Sequence, residues 1–334
     1  MIRYTSRNEY LGSQPVLVLE NLVTGTMVRI AKRGATLLSY KIFDHRDMID
    51  IADGYRDESE LLAFTGSRFA IMFPFANRIG DAEYIFNGSK YNLVQSANRE
   101  ERSIRHGFVR DADFEILSVQ QNISNISATF ACKNIHPELF HGYPFSVGIR
   151  VTYTLHDLGL DLEIEMHNHG DQSAPCFAGW HPYFKLDDSG IDQWSLRVPA
   201  NNRIVCDDFR IPLMGSNAYA RVDLDPTFDF RNTKDISKTV LDVAYANLKP
   251  DVDGLIRTRI EDPTGRRALN VWQQSGVMMV FTGDNLEHGV RRSIALEPME
   301  ALPNAFNRAD SCKSITLLSG ATRIFRCGVE VLLT

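Results

Sequence analysis

A chain of 334 residues with 44% apolar content is long enough to bury a large core. A formal net charge of −6, with no block of Lys or Arg, argues against a nucleic-acid footprint or an anionic membrane surface and suits a small neutral ligand. No apolar run approaches membrane-spanning length, and the opening Met1-Ile-Arg-Tyr-Thr-Ser-Arg-Asn-Glu-Tyr10 lacks the apolar core of a secretory signal, so a cytoplasmic protein is expected.

The first segment with chemical content is Phe73-Pro-Phe-Ala-Asn-Arg-Ile-Gly80. Asn87-Gly88 then separates Tyr84-Ile-Phe86 from Lys90-Tyr-Asn-Leu93 and predicts a hairpin, because Asn-Gly accepts the positive φ angles of a type I′ turn. Arg105-His-Gly-Phe-Val-Arg-Asp111 follows. Val147 to Leu155 alternates strictly, with Val147, Ile149, Val151, Tyr153 and Leu155 on one face. Asp157 to Gly159 supplies a turn, and Leu160 to Met166 alternates again, which predicts a long antiparallel hairpin. His167 and His169 continue the polar face of Asp161, Glu163 and Glu165; that favours a solvated pair over a metal-binding His-x-His.

Gly179-Trp-His-Pro-Tyr-Phe-Lys-Leu186 places His181 before a proline. Ser237 to Leu248 is the best helical candidate, with Asp242 readable as its cap. Leu269-Asn-Val-Trp272 and Val277-Met-Met-Val-Phe281 read as strands, and Ile294-Ala-Leu-Glu297 as a strand closed by Glu297 before Pro298, with Pro303 stiffening the loop beyond. The pattern is all-β, a large antiparallel β-sandwich. With no linker, low-complexity run or fixed-period repeat, residues 1–334 are expected to form one domain. Cys132, Cys176, Cys206, Cys312 and Cys327 are odd in number and show no Cys-x-x-Cys spacing, so reduced thiols are expected rather than disulfides or a zinc site.

His181 and Glu297, each held on extended backbone before a proline, are the minimum parts for paired acid and base catalysis. Each has a blander reading. A mid-chain histidine is mostly structural, a strand-end glutamate mostly solvated, and Arg78 suits a surface ion pair.

Together, the segments around Asn77-Arg78, His106, His181 and Glu297 resemble the aldose 1-epimerase, or galactose mutarotase, family, in its order and about its spacing. The resemblance implies a galactose mutarotase-like supersandwich with an open sugar cleft, Glu297 as base and His181 as acid flanking the anomeric centre, and Arg78, His106 and Asn77 against the sugar. It also implies an acidic residue between the second histidine and the terminal glutamate. Leu241-Asp-Val-Ala-Tyr245 nominates Asp242. The family's galactose enzymes carry a histidine directly after that aspartate, where this chain has Val243, so the contacts that select the sugar differ.

The implied reaction needs neither metal nor cofactor, and its partner is a small aldose, with the protein a monomer or homodimer. The competing expectations are a non-catalytic carbohydrate-binding module, a metal-dependent isomerase built on His167 and His169, and a hexose-6-phosphate mutarotase. The last requires convergent cations, for which the sequence offers Arg78, Arg102, Arg105 and Lys185. The net negative charge favours a neutral sugar.

Overall fold

The computed structural model describes residues 2–93, 103–140 and 142–334. Three antiparallel sheets dominate. A five-stranded meander at the start runs Tyr4–Leu11, Gln14–Asn21, Met27–Ala31, Leu37–Phe43 and Met48–Asp50. A nine-stranded sheet contains the long hairpin Val147–His156 and Gly159–Asn168, extended on one side by Asn125–Ile135 and on the other by Thr322–Leu333 and Arg267–Gln273. An eight-stranded sheet contains Ala200–Ile204, Asp242–Leu248, Val277–Phe281 and Ile294–Met299, followed by the short strands Gly179–His181 and Ala70–Met72.

One apolar cluster collects side chains from all three sheets, from Tyr4 to Val329. It is built by period-two patterning: Leu160, Leu162, Ile164 and Met166 are buried, while Asp161, Glu163, Glu165 and His167 between them are partly exposed. At the Asn87-Gly88 turn both residues have positive φ, 49° and 79°, joining Glu83–Phe86 to Ser89–Asn92 as the hairpin rule requires.

Two expectations are corrected. Ser237 to Leu248 holds no helix, because Asp242–Leu248 is an interior strand between Ala200–Ile204 and Val277–Phe281. Tyr245 is paired on both sides, with Arg203 and Met278, and Ala244, Tyr245 and Ala246 are buried, so burial there outweighs weak helical periodicity. Asp242 therefore caps nothing. Second, the strand carrying Glu297 does not stop there but runs through Pro298 to Met299. The N–H groups of Leu296 and Glu300 donate to the carbonyls of Pro182 and Ala178 at 3.2 and 2.9 Å, and Pro298, which has no N–H, lets the ladder skip one bond between them. Arg267–Gln273 and Val277–Phe281 are strands as expected and, although adjacent in sequence, part into different sheets at Gly276. Gly276 takes φ of +95°, and a Cβ there would stand 2.1 Å from the Met299 carbonyl oxygen.

Candidate active site

The centre of the site is set by register. Gly179 faces Met299 and Tyr183 faces Ala295 on the strand Ile294–Met299, so His181, which closes the strand Gly179–His181, lies opposite Glu297. His181 Nε2 stands 3.4 Å from Glu297 Oε1, and the two residues are only 6% and 2% exposed. The strands can approach because residue 179 is glycine: a Cβ there would meet Met72 Cε at 2.8 Å and the Ala76 Cβ at 2.9 Å. On the far side of Glu297 the register partner is Met279. The solvated strand-end reading of Glu297 is thereby ruled out.

Asn77, Arg78 and His106 arrive together from two other segments. Arg78 pairs in register with Arg105 across the short strands Arg78–Gly80 and Ser103–Arg105. The Asn77 carbonyl accepts from the His106 N–H at 2.9 Å, and Asn77 Oδ1 accepts from Arg78 Nη1 at 3.3 Å. Asn77 and His106 both take left-handed backbone, with φ of 55° and 62°, and all three residues are buried. Arg78 is thus no surface ion pair. The His106 ring meets His181 edge-on with centroids 5.2 Å apart, and its Nδ1 contacts Met72 Sδ, so Nε2 is the nitrogen available to a ligand. Asn304, in the loop after Glu297, donates its N–H to the Arg78 carbonyl at 2.7 Å and ties the loop to this wall.

These residues line one open cleft of about 730 Å³, whose walls also include Asp242, Tyr183 and Met279. Every residue nominated from the sequence, Glu297, His181, Arg78, His106, Asp242 and Asn77, opens onto it. Asp242 lies at the start of its strand and is ion-paired to Arg210. The volume suits a ligand of sugar size.

Burial controls the electrostatics. It pushes the Glu297 carboxyl well above the usual carboxylate range, with Asp242 adding to the rise and Arg78 opposing it. Burial also carries His181 down to about 3, opposed by its own main chain and reinforced by Arg105, Arg110 and Arg68. His106 is held well below its ordinary value, first by burial and then by His181 and the nearby arginines. Perturbed groups of opposite kind, side by side in a cleft, are the usual mark of acid and base chemistry.

Several cleft residues carry no sequence signal of their own. Arg68, Arg110 and Arg210 reach the cleft from segments far apart in the chain. Of the cations considered for a phosphorylated sugar, Arg78 and Arg105 line the cleft. Lys185 instead lines an adjoining cavity of about 240 Å³ that shares Arg68 with the cleft, and Arg102 lies outside the described residues. His167 is occupied elsewhere, its Nε2 2.7 Å from Glu165 Oε1 and its Nδ1 2.8 Å from Thr322 Oγ1. Among the described residues, no group of three or more His, Cys, Asp or Glu is arranged to hold a metal ion, and no helix is long and apolar enough to cross a membrane.

Comparison with known proteins returns one family model, aldose 1-epimerase, matching residues 15–329. An uncharacterized protein of Escherichia coli, YihR, is 27% identical over 76% of this chain and 75% of its own length. An aldose 1-epimerase of Haemophilus influenzae is 24% identical over 86% of this chain and 84% of its own. Among solved structures, a GalM/aldose epimerase homologue from C. elegans superposes with a TM-score of 0.81 at 19% identity, covering 96% of this chain and all of that one, 100%. The shared fold is the galactose mutarotase-like β-sandwich.

Proposed function

The chain belongs to the aldose 1-epimerase family, and on that premise we propose that it interconverts the α and β anomers of an aldose, with Glu297 as base and His181 as acid. The observation that carries this reading is the buried pair itself, with His181 Nε2 3.4 Å from Glu297 Oε1 on the wall of a sugar-sized cleft. O1 and O5 of an aldopyranose share one carbon, so the groups that serve them must be neighbours.

The Glu297 carboxylate takes the proton of O1–H while the His181 imidazolium gives its proton to O5. The C1–O5 bond breaks with its electron pair going to O5, C1=O1 forms, and an open-chain aldehyde is left beside a carboxylic acid and a neutral imidazole. Rotation about C1–C2 presents the other carbonyl face. O5 then attacks C1, His181 recovers the O5 proton, and Glu297 returns its own to O1. Atoms and charge balance, and C1 returns to its starting oxidation level, so the cycle requires no cofactor.

The directions of the two pKa shifts support this assignment. A carboxyl pushed up beside an imidazole pushed down favours the neutral pair, which is the pair's state once the ring has opened. The site thus disfavours the charged pair that starts the reaction relative to the pair that ring opening leaves. Arg78, His106, Asn77 and Asp242 would position the hydroxyls, the arginine and histidine as donors and the aspartate as acceptor. A non-catalytic sugar-binding module has no need of a carboxylate buried against an imidazole. The core that runs from Tyr4 to Val329 supports treating the chain as one catalytic unit.

Anomer exchange measured by polarimetry or NMR on neutral and 6-phosphorylated aldoses tests the proposal. Acceleration above buffer is the expected result, and no acceleration with any of them would overturn it.

A further inference from the structure

A histidine that moves a proton must hold its ring in one plane, and the usual means is a hydrogen bond made by the second ring nitrogen. His181 lacks that bond: its Nδ1 is buried and has no hydrogen-bond partner among the described residues. Sheet register sets the backbone of His181 opposite Glu297 but does not fix the side-chain torsions. Two aromatic neighbours lie against the ring instead. His106 meets it edge-on, with 5.2 Å between centroids and 68° between planes, and Tyr183 stacks on it at 5.1 Å and 14°.

His181 and Tyr183 are two residues apart on extended chain, which puts both on one face of the sheet, and Pro182 between them stiffens the backbone. Tyr183 is in turn held on several sides. Its carbonyl accepts from the Asp53 N–H at 2.9 Å. Across the sheet it faces Ala295, and that small residue leaves room for the ring to meet Phe281, on the next strand, edge-on at 6.4 Å. The Arg68 guanidinium lies 5.1 Å from the Tyr183 ring centre. Arg68 is fixed there by Asp53: Nη1 donates to the Asp53 carbonyl at 2.9 Å and is ion-paired with the Asp53 carboxylate, which also accepts from the Ser293 hydroxyl at 2.5 Å. The next residue, Phe69, donates its N–H to the His181 carbonyl at 2.8 Å, so the segment that carries Arg68 is bonded to the strand that carries His181.

Resting on the mutarotase reading, we propose that Tyr183 is a positioning residue whose ring holds the His181 imidazole in the plane that points Nε2 toward Glu297 and the sugar ring oxygen, and that the Asp53–Arg68 pair holds Tyr183 in place. The contact is face to face, so the ring and not the hydroxyl carries the effect. Without the stacked ring the imidazole can turn about its side-chain bonds. Nε2, which stands 3.4 Å from Glu297 Oε1, then loses the alignment with O5 that proton transfer needs.

The test is anomer exchange on the sugar that wild type turns over fastest, with kcat and KM measured separately for Tyr183→Leu, Tyr183→Phe and Asp53→Asn, each well below its own Tm. Tyr183→Leu should lose about 10- to 100-fold in kcat, the cost of a reacting group misplaced by about 1 Å. Tyr183→Phe, which restores a ring without the hydroxyl, should recover most of that kcat at the same KM as the leucine variant. Asp53→Asn removes a support of Arg68 outside the cleft and should lower kcat about threefold or more with KM unchanged. Equal kcat in the leucine and phenylalanine variants would overturn the positioning role and leave the mutarotase reading standing. If Tyr183→Leu does not fold, Asp53→Asn decides, and a wild-type kcat in it would overturn the inference. Absence of exchange by wild type with every neutral and 6-phosphorylated aldose would overturn the mutarotase reading itself.

Discussion

His181, the last residue of the strand Gly179–His181, faces Glu297 across the sheet: the pairs on either side, Gly179 with Met299 and Tyr183 with Ala295, fix them opposite one another. The geometry of the pair is therefore a property of sheet register, and a slip of one residue would turn Glu297 to the other face of the sheet.

His181→Asn should keep the fold and lower kcat by about 10²- to 10⁴-fold, the usual range for losing a general acid. The KM should change little, since the proposed hydroxyl contacts are with Arg78, His106, Asn77 and Asp242. Steady-state rates on the best sugar decide this, and a kcat within about twofold of wild type would remove His181 from the chemistry.

The pH profile has a distinctive expected form. Under the proposed mechanism, activity requires one proton shared by the pair. A second proton stops the reaction at low pH, and loss of the shared proton stops it at high pH. Because His181 is carried down to about 3, the acid limb of kcat/KM should lie far below the ordinary histidine range. Because Glu297 is pushed up, the shared proton is held well above the ordinary carboxylate range before the alkaline limb begins. An acid limb near the value of a solvated histidine would contradict the burial argument.

Gly179→Ala tests the close approach of the two strands. The new Cβ would meet the Met72 and Met299 side chains and the Ala76 Cβ within 3.1 Å. A stability loss of about 1–3 kcal/mol is expected from overpacking, together with a lower kcat as His181 shifts against Glu297. Denaturant melts and rates on one preparation would show both, and an unchanged protein would show that the approach is not needed.

Glu297→Gln has a stability signature separate from its effect on activity. Folded Glu297 holds its proton more tightly than unfolded Glu297, so above the ordinary carboxylate range the native state binds more protons, and this residue's contribution to stability falls as pH rises toward the folded value. Glutamine has no such dependence. The stability advantage of Glu297→Gln over wild type should therefore grow as pH rises above the ordinary carboxylate range, read as a widening Tm difference. A pH-independent difference would mean that Glu297 is not buried as a titrating group.

Much of this was legible in the sequence where one strand's own pattern decides the outcome. Val147 to Leu155, Leu160 to Met166 and Asn87-Gly88 announce their hairpins because alternation and turn chemistry are local. Asp242 was legible as an acidic residue but not as a strand residue, because its partners Phe281 and Arg210 are set by tertiary pairing. The burial of Glu297 was hidden for the same reason: Pro298 signals a strand end locally, yet the ladder simply skips a bond there. Arg68 and Arg110 look like any other of the 36 cationic residues until the chain folds them onto one cleft.

The most direct measurement of the central claim is anomer exchange by wild type and Glu297→Gln on the sugar that wild type turns over fastest, with binding of that sugar to both measured alongside. The account predicts that the variant folds, binds the sugar and loses about 10²- to 10⁴-fold in rate. A variant that keeps the wild-type rate would contradict it.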